Sequence, residues 1–481
     1  MLAPQRLLFV YADTGAGHLA TAQAVASQVK AQWPTDVEVV MFDPTDARFL
    51  HLMRRVPRLY GPIVRRVPWL WGLLFGRSDS VFGAWLLGRI GSLVFRRTLR
   101  QAISRYEPAA VVCFHALLTT ATVGAVARRL PTATVVTDLG AIHRCWIRQG
   151  FDLVALPSPA ARVQAEKIGI AGRHVRETGL PVGPSFSTGP TTPAIRACAR
   201  AALGLDKRFT VLISGGGEGV GAMYEQAESL IREDSDTRVV VVCGRNRSLL
   251  SRVSELASAN GNRIIALGFV DNMHQWIRAA DILVTKAGPG TIAEALATGT
   301  ALILTGMIPG QEEGNVDYVR SNCAGLWAPS TDELCAAVAG LRSEPLRLAR
   351  LRRAAVAASR PNATSEITSA LVELATASNQ SPVGAVVRKQ RRIVWVAAAT
   401  VAAWASLSAG VGVAAQASER AGVDSHARSV QVVERINSNR VVRVLLPPPV
   451  RREVRQAVRE REGAERLRTG AERSRVLIRP R

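Results

Sequence analysis

Along the first 377 residues, short apolar runs alternate with stretches whose apolar positions recur every three or four residues. Short apolar runs bounded by polar turns read as strands buried on both faces, and the stretches between them as helices. The first half supplies runs at Leu7–Tyr11, Val37–Phe42, Ala110–Phe114, Ala133–Thr137 and Leu153–Leu156. The second supplies Thr210–Ser214, Arg238–Cys243, Ile264–Leu267, Ile282–Thr285 and Ala301–Leu304. Alternation of strand and helix predicts parallel sheets with crossover helices, an α/β fold. The pattern restarts near Phe209, after a Pro-, Gly-, Ser- and Thr-rich passage from Leu180 to Pro193. Two such domains are therefore expected, 1–180 and 209–377, with a linker over 181–208.

Two segments break this pattern. Residues 48–105 interrupt the first domain with twelve Arg, the single acid Asp79, and Trp69, Trp71, Phe75, Phe82 and Trp85. That mixture suits helices lying in a lipid headgroup layer; plain helices with Arg facing water are the alternative. Beyond Ala377, the basic cluster Arg388–Arg392 precedes Ile393–Ser418, twenty-six residues without a charge. The run is long enough to span a bilayer, and the cluster puts its N-terminal side in the cytoplasm. An Arg-rich tail, 419–481, follows.

The net charge of +23 is carried almost wholly by Arg, since only five Lys are present. It calls for an anionic partner. The tail has no aromatic residue for stacking bases and interleaves its Arg with Glu, so nucleic acid is not expected. Six scattered Cys without C-x-x-C spacing fit reduced thiols and argue against a zinc site or a disulfide frame.

Three glycine turns each follow a strand and open a helix. The first, Asp13-Thr-Gly-Ala-Gly17-His18, places an imidazole at a helix start. That position favours the neutral form a general base needs, although a lone histidine is as readily structural. The second, Ser214-Gly215-Gly216-Gly217, offers backbone N–H groups to a diphosphate, or is a plain turn. The third, Lys286-Ala-Gly288-Pro-Gly290-Thr291, runs into Glu294, read as lying in the helix's first turn, where it can accept from a ribose diol. The next loop, Pro309-Gly-Gln311-Glu312-Glu-Gly-Asn315, gathers amides and carboxylates suited to sugar hydroxyls. Asp234-Ser-Asp236 has metal-binding spacing but sits in a charged connection and reads as surface loop. No metal is expected.

With Gly15-Ala-Gly17-His18, Gly268–Met273, Lys286–Leu296 and Ile308–Asn315 in view, the chain resembles the monogalactosyldiacylglycerol synthases and processive diacylglycerol glucosyltransferases, cousins of the MurG glycosyltransferases. Gly179–Phe186 is similar to that family's linker entry, and Val136-Thr-Asp138 with His143 and Trp146 to its acceptor-domain segment. The resemblance covers roughly residues 5 to 375. It implies a GT-B fold, two Rossmann-like domains facing a cleft, and inverting transfer of a hexose from a UDP-sugar to a membrane lipid such as diacylglycerol. It implies neither cofactor nor metal. His18 becomes the candidate base, with Gly17, Asp138, His143 and Trp146 on the acceptor side. Ser214 to Gly217, with Gly288, Gly290 and Thr291, face the diphosphate. Phe269 and Val270 hold uracil, Glu294 the ribose, and Gln311, Glu312 and Asn315 the hexose. The chain departs from the family in Thr14-Gly-Ala-Gly17, where three glycines are usual, and in Arg144 after His143, where Pro is usual. Localisation is expected at a membrane, with the catalytic domains cytoplasmic and an anionic lipid surface as partner. Two other readings remain at this point: a UDP-sugar enzyme of the same fold with a non-lipid acceptor, such as an epimerase, and a non-enzymatic membrane-anchored binding protein.

Overall fold

A computed structural model describes residues 4–13, 16–46, 68–126, 130–146, 148–172 and 174–378. The first sheet holds β1 (Gln5–Val10), β2 (Val37–Phe42), β3 (Ala110–Cys113), β4 (Thr132–Val135), β5 (Leu153–Leu156) and β6 (Val175–Glu177). The second holds β7 (Thr210–Ser214), β8 (Arg238–Val242), β9 (Ile264–Leu267), β10 (Ile282–Lys286), β11 (Ala301–Gly306) and β12 (Gly325–Trp327). All neighbours pair in parallel. Both faces of each sheet are covered, which is why the strands read as unbroken apolar runs. Leu7 and Phe9 enter one core layer and Leu8 and Val10 the other. Val211 and Ile213 are likewise split from Leu212.

The strand orders are β2-β1-β3-β4-β5-β6 and β12-β11-β10-β7-β8-β9. The direction of winding reverses between β1 and β3 in the first sheet and between β7 and β10 in the second. Crevices open outside strand C-termini at such reversals, and ligands bind there. The three glycine turns of the sequence follow β1, β7 and β10, the strands that flank these two crevices.

The segment rich in Arg and aromatics is helical where described: α2 (Pro68–Ser78) follows the α1 helix (Ala16–Gln32), and α3 (Val81–Tyr106) comes next. Gly88 and Gly91 let α3 lie flat on the first domain: a Cβ on either would sit 2.6 Å from Thr120 Oγ1 or 2.7 Å from the Leu117 carbonyl oxygen. The outer face carries Phe82 and Leu93, then Arg89, Arg96, Arg97 and Arg100. Residues 48–67 of the expected membrane-surface segment lie outside the described residues. So do the expected span 393–418 and the tail 419–481. Among the described residues no helix is long and apolar enough to cross a membrane.

The last described helix, Ala363–Ser378, follows the second sheet in the chain but packs on the first. Its Ile367, Ala370, Leu371 and Ala375 join the core layer of Leu7, Phe9, Val25 and Val29. The chain's two crossings between the domains touch: Val182 N donates to Thr364 Oγ1 at 3.1 Å, and that hydroxyl donates to the Val182 carbonyl at 2.8 Å. Arg360 with Glu177 (2.9 Å) and Arg176 with Glu373 (3.3 Å) brace the same corner.

Candidate active site

The first crevice is built around His18. α1 begins at Ala16, so His18 lies in its first turn, and Gly17 beside it has no neighbour within 4 Å of a would-be Cβ. Helix N-termini disfavour the imidazolium, and burial pushes the His18 pKa down to about 4, opposed in part by the Phe114 carbonyl. Thr137 Oγ1 stands 2.8 Å from His18 Nδ1. The His115 ring, buried, lies against His18 with centroids 4.4 Å apart and planes tilted by 53°. His115 Nδ1 accepts from Leu117 N at 3.2 Å, so its proton is on Nε2 when neutral. Burial and the neighbouring His18 hold it well below the ordinary range.

Trp146 closes the inner wall, 6.0 Å from His18 between ring centroids. Its Nε1 donates to Asp138 Oδ2 at 2.6 Å. Burial nonetheless raises Asp138 to about 6, and the Glu312 charge across the cleft acts in the same direction. His143 accepts at Nδ1 from Cys145 N (3.1 Å), which leaves Nε2 to Ser78 Oγ at 3.0 Å, and its ring meets Phe75 edge-on at 4.8 Å. Burial lowers its pKa, against the pull of Asp79. His143 is thus tied to α2, while Asp138 and Trp146 line the crevice.

In the second domain, Ser214 ends β7 and the glycine loop turns back at once. Part of that loop is packing chemistry. Gly219, at φ +57°, would place a Cβ 2.1 Å from the Cys243 carbonyl oxygen. Gly216, at φ +73°, faces open space with its neighbours' amides. Lys286 ends β10, and Gly288 is the N-cap of α4 (Pro289–Thr298) with no side-chain cap. Gly290 also has open space at its Cα. The start of α4 therefore presents amides to the crevice next to Thr291.

Glu294 is the sixth residue of α4, a turn deeper than the sequence reading put it. The expected first-turn position took the glycine run as preceding the helix, whereas the helix already begins at Pro289. Burial raises Glu294 to about 7, and its carboxylate makes no hydrogen bond to a described residue. α4 approaches α1 across the cleft.

The loop after β11 is folded on itself. Glu312 is 3 % exposed: one carboxylate oxygen takes Lys286 Nζ, and the other accepts from Ile308 N at 2.9 Å. Gln311 is half-buried at the loop's rim. Asn315, at the start of α5 (Glu313–Ser321), accepts from Gly140 N of the first domain at 2.9 Å and donates to the Ala287 carbonyl of the second at 2.8 Å. Gly140 and Gly314 meet backbone to backbone there: a Cβ on Gly140 would fall 1.8 Å from the Gly314 carbonyl oxygen. The cleft is closed at this point. Past β9, the exposed ring of Phe269 lies under the Arg245 guanidinium at 4.9 Å, with Val270 half-buried beside it.

All of the sequence-predicted residues thus fall around the two crevices or on the loops between them. His115, Thr137, Arg245 and the Lys286 ammonium were passed over as contributors. Thr137 and His115 carried one readable signal, since both stand just past strand ends. Among the described residues no His, Cys, Asp or Glu cluster suits a metal ion. Asp234 and Asp236 are clasped by Arg342, as befits a surface loop.

Comparison with known proteins bears on the family and the fold. Residues 18–182 match the family model described as monogalactosyldiacylglycerol (MGDG) synthase, and residues 210–366 the glycosyltransferase family 28 C-terminal domain. Monogalactosyldiacylglycerol synthase 1, chloroplastic, of Arabidopsis thaliana is 30% identical over 79% of this chain and 73% of its own. A probable monogalactosyldiacylglycerol synthase 2, chloroplastic, of Oryza sativa subsp. japonica is 33% identical over 70% of this chain and 73% of its own. Among solved structures, Acinetobacter baumannii MurG superposes with a TM-score of 0.52 at 16% identity, covering 77% of this chain and all of that one. At that identity the last likeness speaks for the fold alone.

Proposed function

Because the chain belongs to the monogalactosyldiacylglycerol synthase family, we propose that the closed cleft carries out an inverting transfer with His18 as base and the α4 side as donor grip. The protein is a UDP-sugar-dependent hexosyltransferase acting on a lipid acceptor. The acceptor is a diacylglycerol-type lipid. Its hydroxyl oxygen attacks the anomeric carbon, the bond from that carbon to the diphosphate oxygen breaks, and the electron pair leaves with UDP. The hydroxyl proton passes to the His18 Nε2 lone pair, which is free when Nδ1 donates to Thr137 Oγ1.

The observation that carries this reading is His18 in the first turn of α1, its Nδ1 2.8 Å from Thr137 Oγ1 and its ring against His115, facing a crevice whose far wall is a helix N-terminus without a carboxylate in its first turn. The α4 amides, Gly216 and Lys286 stabilise the leaving diphosphate, and neither metal nor cofactor is invoked. Phe269 and Val270 hold uracil through their backbone, with Arg245 laid on the outer Phe269 ring, and Glu294 accepts from the ribose hydroxyls. Gln311 and the outer lone pairs of Glu312 face the hexose.

Membrane attachment fits the same scheme. The outer faces of α2 and α3 carry Trp69, Leu73, Phe82 and Leu93 beside four exposed Arg, a composition for an anionic lipid surface. The uncharged run 393–418 behind Arg388–Arg392 supports an anchor with the catalytic part on the cytoplasmic side. The deciding experiment incubates the full-length protein with vesicles containing diacylglycerol and a panel of radiolabelled UDP-sugars. The expected result is one labelled glycolipid of inverted anomeric configuration. Release of free or epimerised sugar with no labelled lipid would overturn the reading.

A further inference from the structure

The helix α2 has two faces with different neighbours. Trp69 and Leu73, four residues apart and so on one face, are 67% and 45% exposed. Gly72 and Phe75 lie on another face, and that face meets the loop after β11 in the opposite domain. A Cβ on Gly72 would stand 2.9 Å from Pro309 Cβ. A Cβ on Gly310, whose φ is +77°, would stand 3.2 Å from Phe75 Cδ1 and 3.3 Å from the Gly72 carbonyl oxygen. The two backbones touch through glycines, leaving no room for adjustment.

The loop so touched is the one that carries Gln311 and Glu312. It is a single closed unit: Gln311 N and Glu312 N both donate to the Ile308 carbonyl, at 3.2 and 2.9 Å, and Gly310 N donates to Glu313 Oε1 at 3.0 Å. Displacing Pro309 or Gly310 therefore moves Glu312, and with it the Lys286 ammonium at the end of β10. On its first-domain side α2 is equally well held. Phe75 meets His143, Ser78 Oγ contacts His143 Nε2 at 3.0 Å, and Asp79 accepts from Arg144 N at 2.6 Å. One helix thus joins the lipid-facing surface, the acceptor-side loop and the donor loop.

We propose that α2 is a positioning element for the donor loop, with Gly72 and Phe75 its contact residues, so that seating Trp69 and Leu73 in a lipid surface tightens the enzyme's hold on its nucleotide. The inference rests on the donor-site reading above. Its physical basis is linkage: α2 fixed against the loop favours the closed cleft, and the closed cleft is the form that binds UDP. An enzyme of this design grips its donor firmly only where acceptor is within reach.

The test measures UDP affinity of the full-length protein by calorimetry, alone and with phosphatidylcholine–phosphatidylglycerol vesicles that contain no diacylglycerol. Vesicles are expected to tighten UDP binding about tenfold, a coupling of ordinary size. Gly72→Ala favours the isolated helix, so α2 still forms, but the added methyl pushes Pro309 away and the tightening is lost while the protein still floats with vesicles. Phe75→Ala and the pair Trp69→Ser with Leu73→Ser lose it as well. In turnover, the Gly72→Ala defect falls on KM for the UDP-sugar rather than on kcat. Equal UDP affinity with and without vesicles in the wild type, or full tightening in Gly72→Ala, would overturn the proposal. Absence of UDP binding under both conditions would instead sink the donor-site reading beneath it.

Discussion

His18 and His115 meet ring to ring, centroids 4.4 Å apart and planes tilted by 53°, in the crevice outside β1 and β3. Burial is the main force keeping both neutral, and for His115 the neighbouring ring adds to it. Because the folded pKa of His18, about 4, lies below the ordinary value, the unfolded chain binds a proton there that the native one refuses. Stability from this group is therefore full above about pH 6.5 and is lost as pH falls through 4. The kcat profile should hold its plateau well below pH 6, and an acid limb near 6.5 would show that burial does not keep His18 low in the working enzyme. His18→Ala should lower kcat by roughly a hundredfold or more while calorimetry still detects UDP binding.

Thr137 supplies the hydroxyl at His18 Nδ1. Thr137→Val keeps the shape and removes the hydrogen bond, so about tenfold should be lost from kcat. Thr137→Ser should recover most of it. A larger effect on UDP affinity than on kcat would mean that Thr137 acts elsewhere.

Glu294 gives the opposite pH dependence. Its pKa of about 7 lies above the ordinary value because the ionised form is desolvated. Between about pH 4.5 and 7 the native state holds a proton that the unfolded state has released, so stability falls as pH rises through that window. The penalty at pH 8 is on the order of 3 kcal/mol. Glu294→Gln should raise the melting temperature at pH 8 and change it little near pH 4. Ribose hydroxyls donate to the carboxylate form, so wild-type UDP binding should strengthen from pH 6 to 8 with proton release, seen as a buffer-dependent calorimetric enthalpy. Glu294→Gln should bind more weakly and lose that dependence; an unchanged profile would remove Glu294 from the ribose site.

Asn315 bridges Gly140 N and the Ala287 carbonyl across the cleft. In an open form both groups reach water; in the closed form only Asn315 serves them. Asn315→Leu should thus penalise closure by about 2 kcal/mol, reducing kcat/KM roughly thirtyfold. Solution scattering should show a larger radius of gyration for the variant than for the wild type. Equal radii would show that closure does not depend on this side chain.

Ten of the twelve strands were legible, most because they are buried on both faces and so read as apolar runs, and the edge strands β2 and β9 because they are mostly apolar although only partly buried. β6 (Val175–Glu177) and β12 (Gly325–Trp327) were missed: three-residue edge strands carry too little apolar signal to stand apart from loops. The glycine turns were legible for a related reason, since positive φ and close backbone approach leave glycine as the only choice at Gly219. His115 and Thr137 were not, because their place beside His18 is set by the pairing of β1 with β3 and of β3 with β4. Asn315 read as a sugar ligand from its loop, and only the approach of Gly140 shows its side chain committed to both domains.

The return of Ala363–Ser378 to the first sheet bears on how the polypeptide is made. Leu7, Phe9, Val25 and Val29 lie against Ile367 and Leu371 in the finished protein. A nascent chain leaving the ribosome exposes that oily strip until the rest of both sheets has been synthesised. The amino-terminal half therefore waits, incomplete, for a piece of sequence more than three hundred residues away, and neither half is an independent product of its own stretch of message.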